Sequence, residues 1–107
     1  MTPEQRISRT KKLVASARAV LSGNIGITVG VFRLRNNFDW LDKKLFDEFP
    51  VFEEYASKIP TEVPVGSARL EWNLSSLMKN DHILKELEYE YRERVFKACI
   101  EIIEKFS

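Results

Sequence analysis

The last part of the chain constrains the fold most, because residues 81–106 contain no glycine or proline and repeat apolar side chains at helical spacing. One face carries Leu84, Leu87, Tyr91, Val95, Ala98, Ile102 and Phe106. Opposite charges four residues apart on the other faces contribute only about 0.3 to 0.5 kcal/mol a pair, so the apolar face decides the structure. We predict a long helix here, capped near residues 80–82, that packs against other helices.

The N-terminal residues predict a second long helix, over about residues 3–22. Thr2 and Gln5 have the spacing of a capping box, Pro3 suits the first helical position, and Gly23 is a natural stop. The predicted inward side carries Ile7, Thr10, Leu13, Val14, Ala17, Val20 and Leu21.

The sequence SGNIGITVG at residues 22–30 holds three of the four glycines and is open to two interpretations. Its β-branched residues favour a strand, but neither face of that strand alternates cleanly. Wound as a helix, residues 25–35 are apolar on two opposing sides, and Gly26 with Gly30 would let a neighbouring helix approach closely. We interpret the segment as a helix. A phosphate-binding loop is disfavoured because a helix, not a strand, is predicted before the glycines.

Asn36 and Asn37 suggest a break between helices. Beyond it we predict helices over 38–49 and 51–58, a loop over 59–67, and one or two helical turns after Trp72. The predicted fold is all-α, a compact bundle of four or five helices in a single domain of 107 residues.

Chemistry at neutral pH usually needs a group that exchanges protons, and His82 is the only histidine of the chain. His82, Glu86 and Glu90 have a spacing that could hold a divalent metal, but we interpret His82 as a solvated histidine on a charged face. Cys99, the single cysteine, lies on the apolar face of the last helix and is expected in the core. We therefore expect no catalytic residue, no metal and no cofactor.

One cysteine cannot form an internal disulfide, so nothing in the sequence requires an oxidising compartment. Arg18 and Ser16 interrupt the N-terminal apolar run, which disfavours a secretory signal, and no apolar stretch approaches the roughly 20 residues that span a bilayer. We expect a cytoplasmic protein with no membrane partner.

Charge divides the chain unevenly, although the formal net charge is only +1. Residues 1–36 carry seven Lys or Arg against Glu4, a net charge of +6, so the remainder carries −5. Residues 38–64 combine seven acids with six aromatic rings, a composition typical of a surface that binds a basic protein. The predicted partner-binding residues are Asp39, Trp40, Asp42, Asp47, Glu48, Glu53, Glu54 and Tyr55. Alternatively, the rings cap the bundle and the acids only solvate it.

Three runs of the sequence carry a resemblance to a known class: ARAVLSGNIGITVGVFRL, FPVFEEYASKIPTEVPVGSARLEW and YRERVFKACIEII. The chain resembles a family of small bacterial helical proteins, some of them similar to immunity proteins that neutralise delivered toxins. The resemblance implies an all-helical fold without catalysis and a structural or recognition cluster at Arg69, Glu71 and Trp72. Together with the acidic and aromatic surface of residues 38–64, it leads us to predict an immunity protein that neutralises a basic toxin domain, such as a nuclease, by direct binding. It leaves the oligomeric state open.

The alternative function is RNA binding or RNA processing through Arg33, Arg35 and the basic first helix. Arg35 and Asn36 resemble the first half of the motif of helical HEPN nucleases, but the histidine of that motif is missing. The basic residues of the first helix also point in several directions, without aromatic residues among them, so nucleic acid is the less favoured partner.

Overall fold

The structure is a computed structural model that describes residues 1–59 and 74–107, with side chains described for 1–59 and 82–107. These residues form five helices and contain no strand. The helices are α1 (Pro3–Ser22), α2 (Ile27–Leu41), α3 (Leu45–Glu48), α4 (Val51–Ser57) and α5 (Leu74–Phe106). The all-α prediction is confirmed.

α1 begins and ends as its sequence predicts. Thr2 Oγ1 accepts a hydrogen bond from the Gln5 amide, and the Gln5 side chain accepts one from the Thr2 amide. Gly23 ends the helix in the left-handed conformation, at φ 80°. The predicted inward side is right for Leu13, Val14, Ala17 and Val20, whereas Ile7 is 58% exposed.

α2 settles the two interpretations of the glycine stretch in favour of the helix. A β-carbon added at Gly30 would overlap Cγ2 of the buried Val20, so the glycine lets α2 approach α1 closely. The same role predicted for Gly26 is wrong, because Gly26 is the N-cap of α2 and faces open space.

The break predicted at Asn36 and Asn37 is also wrong. α2 runs through both residues to Leu41, and the helix predicted over 38–49 is divided between the end of α2 and the short α3. The reason is packing, since Leu34, Phe38 and Leu41 continue one buried side of α2. Asn36 is exposed beside this buried side and Asn37 is half-buried, and an asparagine within a helix costs only a few tenths of a kcal/mol, roughly, relative to a good helix former.

α4 ends at Ser57, one residue before its predicted end. Most of the predicted loop at 59–67, together with Arg69, Glu71 and Trp72, lies outside the described residues. The separate helical turns predicted after Trp72, with a cap at 80–82, are instead the beginning of α5, which is continuous from Leu74. Its predicted apolar face is confirmed from Leu84 to Ile102, and Phe106 is half-buried.

α1 and α2 form an antiparallel hairpin, in which Val20 lies beside Gly30 and Arg9 reaches the carbonyl of Trp40. α5 packs on α1, α2 and α4, and α3 contacts α2. Among the described residues, the largest fully buried side chains are Tyr55, Phe38 and Phe52. Across the described ranges, none of the helices combines the length and the apolarity needed to cross a membrane.

Candidate functional site

The exposed end of α2 carries the first two predicted binding residues. Trp40 is 60% exposed, and Asp39 beside it is exposed as well. Two contacts fix the backbone that holds these residues. Phe38, the residue before Asp39, is fully buried, and the Trp40 carbonyl accepts a hydrogen bond of 2.7 Å from Arg9 Nη1. Asp39 Oδ1 lies 3.7 Å from Lys43 Nζ, a separation at which two exposed side chains attract each other only weakly.

Asp42 and Asp47 lie on either side of the beginning of α3. Asp42 Oδ1 accepts a hydrogen bond of 3.0 Å from the amide of Lys44, which shapes the turn that leads into the helix. Asp47 is exposed and forms no ion pair with any residue in the described part of the chain. We call residues 39–47 the Trp40 segment.

Glu48 and Glu53 both form ion pairs with other helices. Glu48 Oε1 binds Nζ of Lys105, which joins α3 to the end of α5. Glu53 Oε1 lies 2.6 Å from Nε of Arg35, which joins α4 to α2. Both carboxylates remain partly exposed, so these pairs position the short helices more than they stabilise them.

Glu54 has the most extensive set of partners among the described acids. Its carboxylate accepts hydrogen bonds from Arg94 Nη2 at 2.6 Å and Nη1 at 3.2 Å, and from Tyr91 Oη at 3.0 Å. The hydrogen bond from Arg94, with a smaller effect of the one from Tyr91, holds the pKa of Glu54 below its ordinary value. The guanidinium of Arg94 and the carboxylate of Glu54 thus form two hydrogen bonds that join α5 to α4.

Tyr55 was predicted at the binding surface, and the structure corrects this prediction. Its ring is 0% exposed and packs edge to face against Tyr91, with centroids 5.5 Å apart. The hydroxyl lies 2.6 Å from Oγ1 of the buried Thr28, and burial raises the pKa of Tyr55 to about 12. The side chain contacts Thr28 of α2 and Tyr91 of α5 at the same time, so it lies in the core between the two helices.

The remaining candidate residues have ordinary surroundings. His82 is exposed, and its Nε2 lies 3.1 Å from Oε1 of Glu86. In the parts of the chain that the structure describes, no three His, Cys, Asp or Glu residues lie close enough to hold a metal. Cys99 is fully buried, and burial raises its pKa to about 12, so the thiol behaves as a small apolar group.

A groove lies on the outer side of α1, the helix whose basic residues the sequence connects only with the less favoured nucleic-acid partner. It has a volume of about 690 Å³ and extends along α1 from Thr10 past Ser22 to Asn24, and Phe106 and Ser107 of the α5 end line it too. We call it the α1 groove. Two signals of it are present in the sequence: Lys11 and Arg18 share one side of the helical wheel, and small residues lie between and after them.

Comparison of the chain with protein-family models, with curated proteins and with solved structures gives no match in any of the three.

Proposed function

We propose that this protein is a cytoplasmic binding module that captures a basic partner protein through the Trp40 segment. The observation that supports the proposal most is the exposure of Trp40, a large ring held on a helix end whose neighbouring residues are fixed in the core and by Arg9. An exposed tryptophan on a rigid support loses little conformational entropy on binding, and tryptophan is among the residues that contribute most to interfaces.

The charges of the predicted binding residues favour a basic partner. Asp39 and Asp47 are exposed, and the paired carboxylates of Glu48, Glu53 and Glu54 keep two-fifths or more of their side-chain surface in solvent. Residues 39–54 carry six carboxylates against two exposed lysines, Lys43 and Lys44. A surface of net negative charge accelerates the approach of a positive protein, and this acceleration weakens as salt is added. Of the eight binding residues predicted from the sequence, Tyr55 alone is removed from the proposed surface, because it is buried.

Within this class, we favour an immunity protein that neutralises a basic toxin domain, such as a nuclease, by direct binding. The support is the resemblance described above, together with an acidic surface suited to a domain that itself binds nucleic acid. RNA binding by this chain has less support, because two of the basic residues it would use are already engaged. Arg35 binds Glu53 and covers the ring of Phe32, and Arg9 binds the Trp40 carbonyl.

A growth-rescue assay tests the function. The chain is co-expressed in bacteria with each member of a panel of basic nuclease toxin domains, and colony counts are compared with those of an empty vector. We expect rescue from one toxin and loss of rescue with Trp40→Ala. Tyr89→Ala is the matched control, because Tyr89 is 86% exposed on α5 and lies outside the Trp40 segment.

The association rate with the rescued toxin then tests the binding face. Charge reversal at Asp39 and Asp47 together should slow association about tenfold or more at low salt, with a smaller effect at high salt. Equal rates for the reversed and unchanged proteins would remove the Trp40 segment from the interface. Loss of rescue with Tyr89→Ala but not with Trp40→Ala would place the interface elsewhere.

A further inference from the structure

The α1 groove lies on a different side of α1 from the surface that packs against α2. Lys11 is nine residues from Val20, which places the two side chains on opposite sides of the helix. Val20 contacts Gly30 of α2, whereas Lys11 and Ala15 are exposed. No residue of the Trp40 segment lines the groove.

The surface of the groove is mainly apolar because of the residues that α1 and α5 supply to it. Phe106, which is half-buried, contributes apolar surface beside the largely buried Val14, and Ala15 and Ala19 contribute side chains too short to fill the space between the helices. The groove follows α1 from Thr10 to Ser22, about 18 Å at a rise of about 1.5 Å per residue. An elongated apolar groove of this length matches three to four turns of a docked helix.

Two cations line this groove, and its lining contains no carboxylate side chain. Lys11 and Arg18 are seven residues apart, two turns along the same side of α1. Arg18 Nη2 donates to Ser107 Oγ at 3.2 Å, and neither cation forms an ion pair within residues 1–59 and 82–107. The cations therefore favour an acidic occupant.

The same charges disfavour a second copy of this chain seated groove to groove. In a twofold-symmetric contact each copy would present the same residues, so Lys11 and Arg18 would face cations of their own kind. Like charges brought together in an interface suppress association.

We propose that the α1 groove binds an amphipathic helix of a partner protein, with its apolar side against Ala15, Ala19 and Phe106 and with acidic residues two turns apart against Lys11 and Arg18. The site is separate from the Trp40 segment. The protein would then have two binding surfaces, the Trp40 segment for a basic partner and the α1 groove for an acidic one.

Fluorescence anisotropy with designed peptides tests the proposal on the full chain. The probe is a labelled helical peptide of about 16 residues with leucine and alanine on one side and glutamate on the flanks. A second peptide replaces each glutamate with lysine. We expect saturable micromolar binding of the acidic peptide, weakened by salt, and no saturable binding of the basic one.

Two neighbouring lysines provide a matched pair of variants. Lys11→Glu changes the groove, and Lys12→Glu makes the same change of charge one residue away, outside the groove lining. The first should weaken binding of the acidic peptide about tenfold, and the second less than about twofold. Ala15→Glu, which places a carboxylate in the groove at an exposed position, should also weaken binding about tenfold. Trp40→Ala should leave peptide binding unchanged, whatever its effect on toxin rescue.

Circular dichroism and thermal unfolding of each variant confirm that the fold is retained. The proposal is overturned if the acidic peptide does not bind, if both peptides bind equally, or if Lys11→Glu and Lys12→Glu have the same effect. It is also overturned if vesicles of phosphatidylglycerol bind the chain in a Lys11-dependent way while the acidic peptide does not, because the groove would then belong to a lipid-binding surface.

Discussion

The aromatic and acidic residues 38–57 differ from the outer side of α1 in how many of their side chains are engaged in contacts within the protein. In the first region, Phe38, Phe49, Phe52 and Tyr55 are buried, and three glutamates form ion pairs with other helices. On the outer side of α1, small residues leave a groove open between the helix and the end of α5. The region that is richer in rings and charges thus has less of its surface available than its composition indicates.

Helix length accounts for the difference. α3 has four residues and α4 has seven, well below the roughly 12 to 15 at which an isolated helix becomes marginally stable in water. Such short helices depend on tertiary contacts, so their large side chains turn inward and their carboxylates reach neighbouring helices. α1, with 20 residues, packs through Leu13, Ala17 and Val20, and Lys11 and Ala15 on its opposite side stay exposed.

The largest expected effect tests whether the rings of residues 38–57 are structural. Phe38 is fully buried and contacts the rings of Phe46, Phe49 and Phe52, with centroids 5.5 to 6.1 Å apart. Phe38→Ala should lower the free energy of unfolding by about 3 to 5 kcal/mol, measured by urea denaturation. Trp40→Ala, two residues away and exposed, should change it by less than about 0.5 kcal/mol. Similar losses for the two variants would remove the distinction between core and binding rings.

A smaller effect tests how α1 is attached to the bundle. Gly30→Ala should destabilise the protein by about 1 to 2 kcal/mol, because the added methyl group meets Val20, although alanine is the better helix former. In a Val20→Ala background the space is available, and the same change should become neutral or stabilising. If Gly30→Ala is stabilising in both backgrounds, α1 and α2 are not in close contact at this residue.

The buried hydrogen bond between the hydroxyls of Tyr55 and Thr28 provides the next test. Tyr55→Phe leaves Thr28 Oγ1 without its 2.6 Å partner and should cost about 1 kcal/mol, even though the ring is retained. Tyr89→Phe, the same change on an exposed ring, is the control and should have almost no effect on urea denaturation. Equal stabilities of the two variants would show that the hydroxyl of Tyr55 contributes nothing to the core.

The sequence predicts the elements whose signals are local. The start and the end of α1 are determined by Thr2, Gln5 and Gly23, which lie in or next to the helix itself. The spacing of the apolar residues from Leu84 to Ile102 predicts the buried face of α5 without information on the other helices. It fails at Asn36 and Asn37, where the packing of α2 against the core outweighs the weak preference of asparagine for turns.

The candidate site was less predictable, because its exposure depends on residues distant in sequence. Glu54 meets Arg94, 40 residues away, and Tyr55 meets Thr28, 27 residues away. A helical wheel places Lys11 and Arg18 together, but only the position of Phe106 beside α1 turns that side into a groove. Composition therefore indicates which groups a surface contains, but not which of them are already engaged.

The pH dependence of stability gives the smallest effect and tests whether Glu54 is engaged inside the protein. Because Arg94, and next Tyr91, hold its pKa below the ordinary value of 4.5, the ionised carboxylate stabilises the folded state above that pH. The contribution is lost as the pH falls through the lowered pKa of the folded protein. Glu54→Gln should therefore be less stable than the unchanged protein at neutral pH, and the difference should close on acidification below 4.5.

Arg94→Gln separates this contact from a general effect of charge. If the carboxylate acts through Arg94, Glu54→Gln should cost less in the Arg94→Gln background than in the unchanged protein, because the pairing is already lost. Urea denaturation of the four proteins at neutral and acid pH measures this coupling. A coupling near zero, or a difference that persists at acid pH, would mean that Glu54 is not held by Arg94 in solution. Its carboxylate would then meet a basic partner without first giving up the contact with Arg94.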